Sequence, residues 1–487
     1  MKLKVLRLIS LLMVAMLSLT LFAGCGGGSD SSDSSLTESG GTAAMDDVDI
    51  DLNLGGSGED GDGNGAGGSS GSSGGNSGSQ SSGITQVDNT DIFENIPKKL
   101  RGTTVIIAHW GDEGASEYVK VQKKFTSDTG IKVKWVLLNE SEYISSIVKQ
   151  IAAGSGPDIV ICNNTFPTAI EAVQELPSYF DVNDGFWDKR VSDATSVNGK
   201  YYFVNSYSSP FTGGTVVYYN KKIFSDNGLT TPDEYLAQGQ WTYENLTKCI
   251  QQVTQVGKNG GILESMVLAE QMGASMITYN AATGTFTGNP NNEDLVAAIQ
   301  WNSECVEAGF AGGYAIGSFA SGQVGICMAG TYGMKYNGYF KDMAPSEIGV
   351  VPLPTSYKGR KLEYMPLGVR GYGIAKGAKN AEGAYYFLRY FLDYEKYEDA
   401  GAEIFSNKVM EKYFVETQLP AFRNAKLYFE YYNCVLPMIG KSWSSASEWA
   451  EVRRAPSGQV AVELSKLSNI CTNAANEANS KLKSFTE

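Results

Sequence analysis

Hydrophobic and polar positions alternate between a strand period and a helix period from residue 98 onward. The apolar run over residues 103–108 predicts a strand. An apolar face at helical spacing begins at Tyr118, and Gly130 marks the end of that helix. Residues 131–137 then alternate as a second strand. The folded part of the chain is therefore predicted to open with a strand, a helix and a strand.

A second helix and a third strand continue the same alternation. Ser141 stands where a helix N-cap is expected, and Gly154 is predicted to end that helix. The apolar face of the helix consists of Ile144, Ile147, Val148 and Ile151. Residues 158–162 predict a short buried strand, and Pro167 is expected to open another helix. This βαβαβ order predicts a parallel sheet with helices on both faces and right-handed crossovers.

The ends of the predicted strands supply the first candidate site residues, because ligands of such sheets bind beyond the carboxyl ends of the strands. Trp110 and Asp112 follow the first strand, and Asn163 follows the third. Glu113 and Asn164 are neighbouring alternatives. Each of these residues also has an alternative role that involves no ligand. The aromatic residue can serve in packing, and the polar residues can form turns or helix caps.

Charge and histidine content exclude several classes of function. The formal net charge is -14, which argues against a strongly basic nucleic-acid-binding protein. Residues 26–95 contain 13 acidic residues and no Lys or Arg, so most of the acidity lies outside the predicted fold. The chain has 1 His, His109, which excludes HExxH zinc sites and histidine-rich metal sites. We expect no metal and no cofactor, and we interpret His109 as a structural imidazole.

The cysteines beyond Cys25 show no CxxC motif and no dense framework. Cys249 and Cys471 fall at helical spacing beside apolar residues, which predicts small buried hydrophobic side chains. Disulfides between cysteines that meet in space remain an open alternative.

Residues 1–25 have the pattern of a lipoprotein signal peptide. Basic residues precede an apolar stretch, and Ala23-Gly24-Cys25 resembles a lipobox, in which Cys25 is acylated and becomes the mature N-terminus. An ordinary cleaved signal peptide and an uncleaved anchor are the alternatives. Residues 26–97 are interpreted as a disordered tether, since 33 of the 62 residues at positions 26–87 are Gly or Ser.

Five segments between residue 99 and about residue 395 carry motifs of one protein family. They are residues 151–160 (IAAGSGPDIV), residues 198–202 (NGKYY), residues 216–224 (VVYYNKKIF) with Gly228 and Trp241-Thr242, residues 319–330 (FASGQVGICMAG), and residues 371–376 (GYGIAK) with residues 379–384 (KNAEGA). In this order they resemble the type 1 extracellular solute-binding proteins, the maltodextrin-binding-like receptors of ABC importers.

The resemblance implies an α/β, two-lobed, periplasmic-binding-protein-like fold of type II. Each lobe is expected to be a mostly parallel sheet flanked by helices, and hinge crossovers connect the lobes. The implied boundaries are residues 98–211 plus 351–393 for lobe 1 and residues 212–350 plus 394–487 for lobe 2. The crossovers are expected near residues 211–214, residues 350–352 and Asp393.

The resemblance and the strand-end rule together give the candidate ligand-binding residues. Tyr332 occupies a position where the family often has a stacking aromatic residue, and Arg370 and Tyr372 flank Gly371. Trp443 or Trp449 is a further candidate platform for a sugar ring. The predicted set is Trp110, Asp112, Asn163, Tyr332, Arg370, Tyr372 and Trp443, with no catalytic residue.

The function that the resemblance implies is binding without chemistry. A lipid-anchored receptor on the outer face of the cytoplasmic membrane, at a Gram-positive-type cell surface, captures a mono- or oligosaccharide and delivers it to an ABC permease. The expected partners are the carbohydrate, the permease subunits and the membrane, reached through the anchor; no nucleic acid is expected, and the chain is expected to be a monomer. The alternatives are a polyamine or iron-chelate receptor, a sensory or adhesion lipoprotein, and a glycoside hydrolase, which needs two carboxylates beside a sugar site.

Overall fold

Two four-stranded sheets form the framework of the protein. The computed structural model describes residues 90–110, 116–211, 213–313, 315–442 and 447–486. These residues belong to one compact unit, Ser79–Glu487. The predictions for residues 1–89, which include the signal peptide, Cys25 and most of the tether, lie outside the described residues.

The strands are numbered in chain order. They are β1 (Thr104–Trp110), β2 (Lys132–Leu138), β3 (Ile159–Asn163), β4 (Thr215–Asn220), β5 (Asn259–Ile262), β6 (Ile277–Asn280), β7 (Thr285–Gly288), β8 (Val324–Gly330), β9 (Ile348–Val351), β10 (Ser356–Tyr357), β11 (Arg360–Lys361), β12 (Tyr364–Leu367), β13 (Arg370–Ile374) and β14 (Lys426–Phe429). The three strands that the hydrophobic pattern predicts are confirmed as β1, β2 and β3, each displaced by one or two residues.

The first sheet has the strand order β2-β1-β3-β13. β1 is parallel to both β2 and β3, whereas β13 is antiparallel to β3. The second sheet has the order β5-β8-β4-β9, in which β5 and β8 are parallel but β4 is antiparallel to both β8 and β9. A mostly parallel sheet is therefore confirmed for the first lobe and wrong for the second, because the pattern within a strand does not encode the direction of its neighbours.

Helices cover the sheets and form the C-terminal part of the chain. The α-helices are Thr90–Glu94, Ser116–Thr129, Tyr143–Ala152, Lys189–Ala194, Lys221–Asn227, Pro232–Ala237, Tyr243–Gln255, Ser265–Gln271, Glu293–Glu307, Ile316–Ala320, Ala381–Phe391, Tyr394–Asp399, Lys408–Tyr413, Leu419–Asn424, Tyr432–Val435, Ser447–Arg454, Val460–Lys466 and Ser468–Thr486. Within the described residues, none of the helices is both long enough and apolar enough to span a bilayer.

The two glycines predicted to end helices are confirmed, but the two residues predicted to start helices do not do so. Gly130 and Gly154 end their helices with φ of 73° and 71°. Ser141 caps no helix, because Asn139 precedes it, accepts a hydrogen bond from the Ser141 N–H at 2.9 Å and begins a 3-10 turn ahead of the helix. Pro167 precedes a five-residue 3-10 helix, Thr168–Ala172, and no α-helix.

The segment that leads from the first sheet toward the second runs beside the segment that follows the helix Ala381–Phe391. The Ser208 Oγ–H donates to Asp393 Oδ1 at 3.2 Å, and the Tyr394 N–H donates to the Ser208 carbonyl at 3.0 Å. The Ser206 hydroxyl donates to the Leu392 carbonyl. These buried bonds hold the segments together. The lobe boundaries given above stay a prediction.

The six cysteines beyond Cys25 are buried and free, which confirms their interpretation as small hydrophobic side chains. They are Cys162, Cys249, Cys305, Cys327, Cys434 and Cys471. Burial raises the pKa of the Cys162 thiol to about 11, so this thiol stays protonated at neutral pH.

Glu270 is a fully buried carboxyl group in the helix Ser265–Gln271. Neither of its side-chain oxygens has a hydrogen-bond partner among the described residues. Burial raises the pKa of Glu270 well above its ordinary value, and the negative charges of Glu430 and Glu264 raise it further. The folded state therefore favours the protonated carboxyl, and the stability that it contributes at low pH is lost as the pH rises through the folded-state pKa.

Glu270→Gln is expected to flatten the dependence of thermal stability on pH. The wild-type melting temperature should fall as the pH is raised above about 4.5, where an unfolded carboxyl ionises, and Gln at this position has no charge to bury. The melting temperature of the variant minus that of wild type should be about 2 °C higher at pH 8 than at pH 5. Differential scanning calorimetry from pH 5 to 8 measures this, with the exposed Glu477→Gln as the matched control. Parallel curves for wild type and Glu270→Gln would contradict the assignment.

Candidate functional site

A cavity of about 380 Å³ lies between the two sheets. The first sheet contributes the end of β3 and the start of β13, and the second sheet contributes the start of β4 and the end of β8. The lining consists of Tyr118, Asn163, Asn164, Phe211, Gly213, Gly214, Thr215, Gly330, Thr331, Tyr332, Lys335, Asn337, Leu367, Gly368, Arg370, Ile404 and Glu430. The volume falls within the range of about 300 to 1,000 Å³ that is typical of small-molecule sites.

The first wall of the cavity is fixed by the junction of β3 and β13. Arg370 lies opposite Asn163 in the strand register. Asn164, which follows β3, has a φ of 52°, and its Oδ1 accepts a hydrogen bond from the Val369 N–H at 2.9 Å. The Asn164 N–H donates in turn to the Val369 carbonyl at 2.8 Å. Asn tolerates this left-handed conformation better than most residues, and it bonds the two strands together beside the cavity.

The second wall continues the pairing of β4 with β8. Thr215 lies opposite Gly330 in the register, and the Thr331 N–H donates to the Gly214 carbonyl at 2.9 Å. A 3-10 turn, Thr331–Met334, then presents Tyr332, whose side chain is 48% exposed. Tyr332 lines the cavity, and its ring meets the Tyr339 ring edge to face with centroids 5.3 Å apart. An exposed aromatic residue at the wall of a cavity is suited to stacking on a ligand.

Gly338 allows the loop after Tyr332 to pack closely against the Tyr332 backbone. The Gly338 N–H donates to the Lys335 carbonyl at 2.9 Å. A Cβ atom at Gly338 would lie 2.1 Å from the Tyr332 carbonyl oxygen, so any larger residue would displace the backbone. The Tyr332 hydroxyl donates to the Asn337 carbonyl at 3.2 Å. The loop therefore folds back on Tyr332 and restricts its orientation.

Two basic side chains of the lining contact the same aromatic ring. The Arg370 Cζ lies 5.5 Å and the Lys335 Nζ 5.7 Å from the centroid of Phe211. The Lys335 ammonium also lies 4.6 Å from the Phe405 centroid and 5.4 Å from the Phe414 centroid, and it donates to the Pro210 carbonyl. These cation–π contacts hold both side chains in place.

Glu430 is the carboxyl group in the described part of the lining. It follows β14, and its N–H donates to the Leu367 carbonyl at 3.0 Å. Burial raises its pKa, against the opposing effect of a 2.9 Å hydrogen bond from Asn433 Nδ2 to Glu430 Oε2. The site therefore disfavours the charged form of this group.

Trp110 and His109 lie beside the cavity. Trp110 is half-buried and lines a small recess of about 20 Å³ that shares Asn163 with the main cavity. Its ring stacks on His109, with centroids 4.9 Å apart, and meets Tyr143 edge to face at 4.9 Å. The His109 Nδ1 contacts the Trp110 carbonyl, so Nδ1 carries the proton in the neutral imidazole.

The structure brings some predicted site residues together and separates others. Asn163, Tyr332 and Arg370 line the cavity, as does the alternative Asn164, and Trp110 lies in the adjoining recess. Tyr372 is 1% exposed and does not line the cavity; Arg370 Nη2 donates to its hydroxyl at 3.5 Å. Trp449 is fully buried in the core. Asp112, Glu113 and Trp443 lie outside the described residues.

Several lining residues are absent from the sequence-based set. Phe211, Gly213 and Gly214 stand in the predicted crossover, so a signal for them existed. Glu430 follows a strand end, but the C-terminal quarter of the chain shows no strand pattern clear enough to apply the strand-end rule. Lys335 follows a turn, and a lysine in a turn gives no indication from its residue type that it lines a binding site. Among the described residues, no cluster of three His, Cys, Asp or Glu side chains is placed to hold a metal ion.

A family profile matches most of the part of the chain that contains the two sheets. The family is described as bacterial extracellular solute-binding protein, and the match covers residues 108–398. The chain belongs to this family. The resemblance stated from the sequence motifs is thereby confirmed.

Solved structures share the fold of this solute-binding protein at low sequence identity. The galacto-N-biose-/lacto-N-biose I-binding protein of the ABC transporter from Bifidobacterium longum, in complex with lacto-N-biose, has a TM-score of 0.58 and 13% identity, and the alignment covers 79% of this chain and 98% of that chain. The cyclic alpha-maltosyl-1,6-maltose binding protein from Arthrobacter globiformis has a TM-score of 0.54 and 16% identity, covering 79% and 100%.

A third similar structure is the extracellular solute-binding protein from Staphylococcus aureus in complex with maltose. Its TM-score is 0.51 and its identity 18%, and the alignment covers 79% of this chain and 99% of that chain. These structures confirm the two-lobed, type II periplasmic-binding-protein-like fold. No curated protein sequence matches this chain.

His109 of this solute-binding protein is expected to titrate far below an ordinary histidine. Burial lowers its pKa to about 4; the hydrogen bond with the Trp110 carbonyl opposes this effect, and the positive charge of Arg370 adds to it. Because the folded-state pKa is depressed, the stability contributed by the neutral imidazole is present above pH 6.5 and is lost as the pH falls toward 4, by up to about 3 kcal/mol.

The His109 prediction is tested by NMR. His109 is the one histidine of the chain, so its Cε1 proton gives a single imidazole titration curve. The native protein should show no titration above pH 5, while the urea-unfolded protein should titrate near pH 6.5, which is the internal control. A native midpoint near 6.5 would mean that the imidazole is solvated.

Proposed function

We propose that this protein is the carbohydrate receptor of an ABC importer and binds a mono- or oligosaccharide in the cavity between its two sheets. The observation that carries the proposal is the composition of the lining, in which amide, hydroxyl and guanidinium groups from both sheets surround an exposed tyrosine ring. Sugars present hydroxyl groups to polar side chains and C–H faces to aromatic rings. Contacts to both lobes are also what a ligand needs to shift an open form toward a closed form.

The lining supports a sugar over the other solute classes. A polyamine site requires carboxylates. The described lining instead contains two basic side chains, Lys335 and Arg370, and one carboxyl group, Glu430. Burial raises the pKa of Glu430 and so disfavours its charged form. An iron site with tyrosine ligands requires several phenols at one point; the described lining has Tyr118 and Tyr332, which enter from different parts of the chain. The similar structures from Bifidobacterium longum and Staphylococcus aureus contain lacto-N-biose and maltose, respectively.

The proposal includes an anchor at Cys25 and a permease partner. Two acyl chains on the mature N-terminus provide stable membrane attachment, at about 0.8 kcal/mol per buried CH₂ group. The Gly/Ser-rich segment at positions 26–87 has a root-mean-square reach of roughly 45 Å, which leaves the receptor free to orient toward a permease. A separate permease and ATPase then move the sugar, and the receptor releases it unchanged.

Tyr332→Ala is expected to weaken sugar binding about tenfold. The ring is the exposed aromatic face of the lining, and loss of a stacking contact with the area that it buries costs about 1.4 kcal/mol. Isothermal titration calorimetry against mono- and oligosaccharides, polyamines and ferric chelates identifies the ligand first, with a dissociation constant on the order of micromolar. The variant is then compared with wild type.

The matched control is Tyr336→Ala, which removes a ring that is 50% exposed in the same segment but does not line the cavity. Equal losses for Tyr332→Ala and Tyr336→Ala would contradict stacking in the cavity. Trp110→Ala tests the adjoining recess, and an unchanged affinity removes Trp110 from the site. Binding of a polyamine or a ferric chelate with no saccharide bound would overturn the carbohydrate proposal.

Cys25→Ala is expected to abolish lipid attachment. In a bacterial host supplied with radiolabelled palmitate, wild type should carry the label and lack residues 1–24, whereas the variant should carry none and keep these residues because lipidation precedes this cleavage. Gel fluorography and intact-mass spectrometry measure both outcomes. Cys249→Ala, at a buried thiol, is the control and should stay labelled. A labelled Cys25→Ala chain would rule out the lipobox.

A further inference from the structure

The carboxyl group of Glu430 stands at the wall of the cavity with one of its two oxygens engaged. Its backbone N–H donates to the Leu367 carbonyl at 3.0 Å, which fixes the residue directly after β14. Its Oε2 accepts a hydrogen bond from Asn433 Nδ2 at 2.9 Å. Among the described residues, no donor bonds to Oε1 and no basic side chain forms an ion pair with Glu430. The side chain is half-buried, so Oε1 is the acceptor that remains for a solute.

Two further carboxyl groups lie within electrostatic range of Glu430. The helix Ser265–Gln271 packs against β14 and carries the fully buried Glu270. Glu264 directly precedes this helix, and the charges of Glu264 and Glu430 both act on Glu270. The other titratable groups around these carboxyls are Tyr243, Tyr428, Tyr432, Cys434 and Arg453, and the cavity adds Tyr118, Tyr332, Lys335 and Arg370. Of the three carboxyl groups, Glu430 is the one that belongs to the described lining.

These surroundings oppose a negative charge on Glu430 in the protein without a ligand. Burial raises the pKa of Glu430, and the hydrogen bond from Asn433 opposes this effect. Repulsion between Glu430 and Glu270 makes it unfavourable for both groups to ionise, and neither oxygen of Glu270 has a hydrogen-bond partner among the described residues. We therefore expect Glu430 to lose its proton at a higher pH than an ordinary glutamate does.

A sugar reverses this balance when its hydroxyl groups donate to the carboxylate. An ionised carboxyl group is acceptor-only and has about four lone-pair sites, of which Asn433 occupies one. Hydrogen bonds to an ionised acceptor are roughly twice as strong as those between neutral groups. Each such bond stabilises the charged form of Glu430 relative to the protonated form. A sugar that supplies these donors therefore favours ionisation at the position where burial opposes it.

We propose that Glu430 is a ligand-binding residue of the cavity, that its carboxylate accepts hydrogen bonds from hydroxyl groups of the sugar, and that sugar binding therefore releases a proton. This inference rests on the proposed function and assigns a specificity-determining residue of the same site. In the step, the O–H bond of the Glu430 carboxyl group breaks, the proton passes to the buffer, and the sugar hydroxyl groups keep their own protons. Affinity for the sugar should rise with pH below the pKa of Glu430 in the unliganded protein and become constant above it.

Calorimetry in two buffers counts the protons released on binding. The probes are neutral mono- and oligosaccharides, maltose and lacto-N-biose among them, because they have no group that titrates between pH 5 and 8. Every proton released then comes from the protein. At one pH, binding should be more exothermic in imidazole than in phosphate, since imidazole takes up the released proton with the larger release of heat. The association constant should rise between pH 5 and 8, by up to about tenfold per pH unit for one proton.

Four variants identify the group that loses the proton. Glu430→Gln should abolish the proton release and weaken binding about tenfold at pH 8, because an amide neither ionises nor accepts charge-assisted bonds. Asn433→Ala should move the rise in affinity to higher pH, since the bond from Asn433 favours the carboxylate. Glu270→Gln should keep the proton release, because Glu270 does not belong to the described lining. Glu477→Gln removes an exposed carboxyl group and is the matched control, which should behave as wild type.

Circular dichroism and the melting temperature establish that each variant folds. If Glu430→Gln does not fold, the shift expected for Asn433→Ala decides, and an unshifted curve would overturn the inference. Proton release that survives in a folded Glu430→Gln protein, or that disappears in Glu270→Gln, would also overturn it.

The outcomes separate this inference from the proposed function. Saccharide binding with equal enthalpies in both buffers and no dependence on pH would overturn the inference and leave the sugar receptor intact. Binding that is less exothermic in imidazole would mean that a proton is taken up, which contradicts the carboxylate assignment. No binding of any neutral saccharide would overturn the proposed function and the inference together.

Discussion

The antiparallel pairing of β13 with β3 is the constraint on which the site depends. The chain leaves the first sheet after Asn163, builds the second sheet, and returns to the first sheet at Arg370, directly opposite the residue from which it left. The hydrogen bonds between Asn164 and Val369 fix that return. Because the connection contains the whole second sheet, completing the first sheet positions both walls of the cavity. Rigid elements therefore carry the polar groups of the cavity, which favours a largely preformed site.

Much of the first lobe is predictable from the sequence because its signals are local. Strand and helix periods, and the glycines Gly130 and Gly154, locate β1 to β3 to within one or two residues. Strand direction in the second sheet is not predictable in this way, since it depends on which distant strand becomes the neighbour. The hydrophobic pattern of β4 is the same whether its partners are parallel or antiparallel.

The candidate site shows the same division between local and long-range information. The strand-end rule identifies Asn163, which lines the cavity, and Trp110, which lies beside it. Arg370 and Tyr372 share one face of β13, yet Arg370 stands at the strand end and reaches the cavity, whereas Tyr372 lies further into the sheet and is covered. An abundance of aromatic residues does not separate core rings from exposed rings, which is why Trp449 was a candidate although it is fully buried.

Aromatic rings hold basic side chains at more than one place in this protein, and the difference between the places indicates their roles. The Arg389 guanidinium lies 4.6 Å from the Phe186 centroid, is 1% exposed and is paired with Asp184. Its charge is thus balanced within the fold, and it acts as a structural ion pair. Arg370 and Lys335 have similar aromatic support, but unlike Arg389 they line the cavity between the two sheets.

Under the proposed function, Phe211 links the basic side chains of the cavity to the opening and closing of the lobes. It stands in a segment that joins the two sheets, and both cations contact its ring. In a two-lobed binding protein, closure rotates the lobes about such segments, so the positions of Arg370 and Lys335 relative to Phe211, and to each other, depend on the rotation. Under the proposed function, a solute that contacts both walls of the cavity favours the rotation that closes the lobes around it. The same contacts that select the solute would then also stabilise the closed form, because a ligand shifts such an equilibrium by its difference in affinity for the two states.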